Sequence, residues 1–120
     1  MTIKTPLLED SLLVIWNDRN ADSRLAEMKR IYSPDIHFYE SDISSGIVGH
    51  EAINGLIAKL QVEWPMEFQF TLTRPTRHNH NVQVASWNLG PQGETPVASG
   101  MDVAEIEGDL IKSLYLFLDQ

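Results

Sequence analysis

The chain opens with apolar positions at helical spacing. In "TPLLEDSLLVIWNDRN" the residues Leu8, Leu12, Ile15 and Trp16 fall on one stripe, which predicts a helix. Thr5 is placed to cap it, Pro6 suits its first position, and Glu9 and Asp10 favour its positive end. A second helix is expected from about Asp22, with Leu25, Met28, Ile31 and Tyr32 inward, and Pro34 ends it. "DIHFYESD" then reads as a strand whose alternation puts Ile36, Phe38 and Glu40 on one face. "SDISSGIVG" is a loop by its Ser, Asp and Gly content. A third helix starts near His50, carries Ile53, Leu56, Ile57 and Leu60, and closes at Trp64–Pro65.

Beyond Pro65 the period changes from helical to alternating. Phe68, Phe70 and Leu72 alternate with polar residues and predict a strand, and "RHNHN" predicts a turn. Val82 to Leu89, Val97 to about Glu107 and Leu110 to Leu118 read as three long strands. "GPQGETP" makes one connection, and Gly108–Asp109 suits a two-residue hairpin. Helices therefore gather early and a meander of strands follows. That predicts an α+β fold over a single domain, residues 1–120, with the helices on one face of a curved antiparallel sheet.

The charge balance narrows the partners. Seventeen acidic residues against nine basic ones give a net charge of −8, and the basic residues are scattered, which argues against nucleic acid. Lys29–Arg30 reads as a solvated helix face. No apolar run approaches the roughly 20 residues of a membrane span. Glu9 and Asp10 interrupt the first apolar stretch, unlike a secretory leader, and with no cysteine present a cytoplasmic protein is expected. The lack of cysteine excludes disulfides, thiolate zinc sites and a cysteine nucleophile. There is no nucleophile elbow, phosphate loop or dinucleotide fingerprint, and His78 and His80 in a turn supply too few metal ligands, so neither cofactor nor metal is expected.

Two carboxylates stand out against this background. Glu40, in phase with apolar Ile36 and Phe38, is costly if buried, unless it is paired, protonated or used; otherwise it is an exposed strand-end residue. Asp102 shares its phase with Ala98, Gly100 and Ala104, whose small size leaves room for a ligand; alternatively it bonds backbone or a tyrosine. Trp16 and Trp87 are core residues or ligand platforms. The hydroxyls of Tyr32 and Tyr115 need partners if buried, and either could reach Glu40 or Asp102.

The element order, with "YSPDIHFYE", "GHEAI", "SGMDVAEIEGDLI" and "LYLFLD", resembles the nuclear transport factor 2-like superfamily over essentially the whole chain. Within it the chain looks closest to SnoaL-like and ketosteroid-isomerase-like proteins. The resemblance implies a cystatin-like cone, a sheet wrapped around a pocket and closed by three N-terminal helices. It also implies a homodimer and a small apolar ligand. By this resemblance Glu40 stands where related enzymes hold a carboxylate base, and Asp102 where a protonated acid donates to an oxyanion. Trp16 occupies the place of their principal tyrosine donor and Ile57 that of a supporting tyrosine, while Tyr32 matches a tyrosine of some members. Trp16, Tyr32, Phe38, Trp87 and Tyr115 are thus the candidate ligand-contacting residues. SnoaL-type cyclases pair a histidine with an aspartate, which makes His37 a minor candidate beside a structural or surface role.

Fold does not fix function in such a group. One reading is an isomerase, cyclase or dehydratase acting on a small apolar carbonyl compound. A second is a non-catalytic ligand-binding or accessory domain, and a third is a dimerising module with a vestigial pocket. An apolar cavity lined by both Glu40 and Asp102 favours the first.

Overall fold

The computed structural model describes residues 6–41 and 45–119. Helix α1 (Leu7–Asp10) runs on into a π-helical stretch, Ser11–Trp16. Then come α2 (Ala21–Ile31), β1 (Tyr32–Tyr39), β2 (Ile47–Val48) and α3 (His50–Glu63). The second half holds β3 (Phe68–Leu72), β4 (Arg77–Asn79), β5 (Val82–Pro91), β6 (Ala98–Glu107) and β7 (Leu110–Leu118). The sheet order is β2-β1-β7-β6-β5-β3, with β4 also paired to β5. This is the expected α+β architecture.

The sheet is mixed where an antiparallel one was expected. The strand β1 pairs with β7 in parallel, Phe38 opposite Leu114 and Tyr39 opposite Tyr115. Strand patterns carry no record of direction between segments so far apart in the chain, so alternation alone leaves this pairing open. Its register shifts between Tyr32 and His37, and exposed Pro34 sits in that irregular stretch, where a missing N–H breaks no regular ladder.

The first helix departs from plain α geometry. In the π stretch Ser11, Leu12, Ile15 and Trp16 are all buried, and the five-residue spacing brings Ser11 and Trp16 to the same Tyr32 hydroxyl. Pro6 stands just before the helix, and the expected cap at Thr5 lies outside the described residues. Helix α2 starts earlier than expected because Asn20, not Asp22, caps it, accepting from the Ser23 N–H at 2.9 Å. It also ends earlier, so Tyr32 opens β1. The "RHNHN" turn contains β4 and reverses at His80, whose φ is 53°. The loop before α3 contains β2, paired with β1; its residues 42–44 lie outside the described ones.

One face of the sheet packs on the helices. Leu8, Ile15, Met28, Ile31, Ile36, Ile53, Ile57, Ile111 and Leu114 are fully buried there, each burial contributing roughly 1.5–3 kcal/mol. A polar cluster ties the helices together. Buried Arg24 of α2 donates to Asn54 Oδ1 (2.5 Å) and Gln61 Oε1 (2.8 Å) of α3, and to the Asp18 carbonyl (2.8 Å). Gln61 in turn donates to the Asp18 carbonyl at 2.9 Å. Arg19 reaches the carbonyls that end α3, at Gln61, Trp64 and Pro65, at 2.7–3.3 Å. Gln61 also donates to the Trp16 carbonyl at 3.4 Å, so the same cluster holds the end of the first helix to α3.

Candidate functional site

Rows of side chains across the inner sheet face build the site. Ala85, Asp102 and Leu116 are cross-strand neighbours on β5, β6 and β7. The next row toward the open end is Leu72, Trp87, Gly100 and Leu118, and the one beyond is Phe70, Leu89 and Ala98. Leu12 and Trp16 face these rows from the π-helical stretch, Leu56 and Leu60 from α3, and Trp64 from just past its end. With most of the side chains in these rows they line a partly open cavity of about 280 Å³.

Gly100 explains how Trp87 fits. A Cβ there would lie 2.7 Å from the Trp87 ring, so the glycine's space is filled by indole. The small residues of β6 therefore serve a tryptophan at Gly100 and the core at Ala104, and only Ala98 borders the cavity. From its seat over Gly100, Trp87 Nε1–H reaches diagonally to Asp102 Oδ1 at 3.0 Å.

Asp102 is 5% exposed, and burial among apolar neighbours pushes its carboxyl up to about 7, with the Trp87 bond working the other way. No buried polar side-chain atom among the described residues lacks a hydrogen bond, and Asp102 bonds protein only through Oδ1. Among the described residues no hydrogen bond engages Oδ2, and Asp102 is one of the residues that line the cavity.

Glu40 stands one residue past β1, exposed, and lines the same cavity at its rim. Phe38, two residues earlier, is buried and forms part of the wall. Both carboxyl groups singled out in the sequence thus border one space.

Trp16 lines the cavity, but its single N–H is engaged. It donates to Tyr32 Oη at 3.3 Å, and Ser11 Oγ lies 2.6 Å from the same oxygen. Tyr32 is wholly buried behind Trp16, outside the cavity lining, and burial pushes its hydroxyl up to about 12. With Trp87 bound to Asp102, neither of these indoles has a donor to spare.

Tyr115 lies elsewhere. It stacks on Tyr39 at 5.1 Å and donates to Glu105 at 2.8 Å, on the outer sheet face, because it alternates with cavity-lining Leu116. His37 shares that face, 6.1 Å from Tyr39, with Nδ1 2.9 Å from the Asp35 carbonyl. Neither lines the cavity. His50 contacts the Tyr32 and Ser33 carbonyls at 3.0 and 3.1 Å, holding α3 to β1. No group of three or more His, Cys, Asp or Glu able to hold a metal comes together among the described residues.

Sequence reasoning passed over several wall residues, Phe70 among them as an ordinary strand position. Trp64 reads only as a helix terminator, and Leu56 and Leu60 as ordinary core. Leu56, Leu60 and Trp64 recur at four-residue spacing on α3 and its end, which is the signal that could have grouped them.

No protein-family model matches this sequence, and no curated protein does. Solved structures do match in shape. A SnoaL-like-family protein from Agrobacterium tumefaciens, named as a candidate isomerase, aligns with a TM-score of 0.82 at 20% identity, over 95% of each chain. A protein from Jannaschia named as a candidate SnoaL-like polyketide cyclase aligns at 0.73 and 12% identity, over 99% of this chain and 92% of its own. A cystatin-like-fold protein of unknown function from Xanthomonas campestris aligns at 0.71 and 17%, over 95% and 88%. The chain therefore shares the fold of these SnoaL-like and cystatin-like proteins, as its motifs led one to expect.

Proposed function

We propose that this protein binds a small, largely apolar carbonyl compound and moves a proton next to its carbonyl. The supporting observation is that Glu40 and Asp102 border one apolar cavity, with Asp102 buried enough to hold its proton near neutrality. In this reading Glu40 takes a proton from the carbon beside the carbonyl, and Asp102 donates its hydrogen bond to the oxygen as enolate charge develops. Trp87 keeps Asp102 oriented through Oδ1. Isomerisation, aldol-type cyclisation and dehydration share this step, and the candidate isomerase and cyclase of the same fold fit it. Ketosteroid isomerase, which the chain resembles, pairs a carboxylate base with a protonated carboxylic acid that donates to the oxyanion.

Proton–deuterium exchange into a panel of cyclic ketones tests the reading. Wild type is expected to exchange the protons beside the carbonyl, and Glu40→Gln to slow this by about 100-fold or more. Equal rates in the two would remove Glu40 from the mechanism.

Ligand binding without chemistry is the second reading. The observation favouring it is that Trp16, at the place of the expected tyrosine donor, has its N–H tied to Tyr32, leaving Asp102 as the donor to an oxyanion. A homodimer and a cytoplasmic setting belong to either reading. The outer sheet face, with the Tyr39–Tyr115 stack and Phe117 54% exposed, would suit burial in such a dimer.

A further inference from the structure

The cavity's walls and its polar groups differ in what they ask of a ligand. Five aromatic rings border it, and neighbouring rings stand nearly perpendicular. Trp16 meets Phe70 at 80°, Phe70 meets Trp87 at 78° and Trp64 meets Phe70 at 71°, with centroids 5.1–6.0 Å apart. Phe38 meets Trp16 at 65°. Rings packed edge to face stand in several planes around the cavity that they line.

The polar groups of the cavity are lopsided. Trp16 spends its N–H on Tyr32 and Trp87 spends its own on Asp102. The charged or ionisable groups among the described lining residues are carboxyls, Asp102 in the interior and Glu40 at the rim. No lysine, arginine or histidine is among the described lining residues. The chain's net charge of −8 adds a field of the same sign. Such a site disfavours anions, offers a neutral carbonyl the Asp102 donor, and meets a cation with aromatic rings and carboxylate together.

We propose that the cavity takes a ligand carrying a protonated or quaternary amine on an apolar body, the cationic head among the rings and its charge met by Glu40. This deepens the preceding section and rests on its reading of the cavity as a small-molecule site. The amine is a requirement on the ligand, separate from whether Glu40 also moves a proton. Aromatic faces stabilise a desolvated cation, while a carboxylate ligand entering here would meet Glu40 and Asp102 with no counter-charge.

A matched set of probes tests the charge preference directly. Phenyltrimethylammonium, its uncharged isostere tert-butylbenzene and benzoate are titrated into the full chain, followed by tryptophan fluorescence and by NMR. The cation is expected to bind about tenfold tighter than tert-butylbenzene or better, with no saturable binding of benzoate. Glu40→Gln is expected to weaken the cation several-fold and to narrow its lead over the isostere. Equal affinity for the cation and tert-butylbenzene, or saturable benzoate binding, overturns the amine proposal while leaving the cavity a binding site. If none of the three binds, and the cyclic ketones also fail to bind, the small-molecule reading itself falls with it.

Discussion

Asp102 has Ala85 and Leu116 as its cross-strand neighbours and Trp87 as its hydrogen-bond partner. Its carboxyl is raised from 3.8 to about 7, chiefly by burial. Between those values an unfolded chain gives up this proton and the folded one keeps it. The residue's contribution to stability is thus complete below about 3.8 and is lost as pH rises to about 7. At about 1.4 kcal/mol per unit, the loss is on the order of 4 kcal/mol. Asn at this position still accepts from Trp87 and cannot ionise. Asp102→Asn is therefore expected to match wild type in urea unfolding near pH 4 and to exceed it by a few kcal/mol at pH 8. A constant difference across that range would show that Asp102 titrates normally. Alternation and resemblance marked Asp102 and Glu40 before any coordinates. They could not show that Trp87 fills the space over Gly100, or that the Trp16 N–H is committed to Tyr32, because both depend on side chains meeting across the fold.

Between residues and fold stand the elements, and here the helices depend on a polar hub. Arg24 is 1% exposed, and burial draws its guanidinium below the usual arginine range, partly offset by Asp18. Its acceptors are neutral: Asn54, Gln61 and the Asp18 carbonyl. Arg24→Met keeps much of the volume and strands two amide side chains. It is expected to cost about 2–4 kcal/mol, read from urea midpoints, with Arg24→Lys recovering little because an ammonium lacks the planar fork. Equal midpoints for wild type and Arg24→Met would show that the hub is dispensable. This hub was legible only in part. Asn54 and Gln61, seven apart on α3, share a face, yet polar residues at that spacing more often meet water. The long strands and α3 were plain because period and turn residues agreed. The π stretch was hidden, since its apolar stripe fits ordinary helical spacing, and β4 was hidden because three exposed polar residues carry no alternation.

At the scale of the whole molecule, charge works against compactness. The net charge of −8 is offset by few ion pairs among the described residues: Arg30 with Asp10 and Glu27, and Lys112 with Asp35. Exposed pairs of this kind contribute little. Salt should therefore stabilise the protein by screening self-repulsion more than it weakens these pairs. The melting temperature is expected to rise by a few degrees between about 10 mM and about 500 mM NaCl, where the Debye length falls from about 30 Å to a few ångströms. A fall would mean that the pairs outweigh the repulsion.

The parallel pairing of β1 with β7 also sets an order of assembly during synthesis. The wall that carries Phe38 and leads to Glu40 has β2 along one edge and β7 along the other. β7 leaves the ribosome after all the other strands, so β1 waits with an unpaired edge while the hairpins of the later strands are made. The rim of the cavity is then the last part of the site to close, and a nascent chain held short of Leu110 would have neither Phe38 nor Glu40 settled.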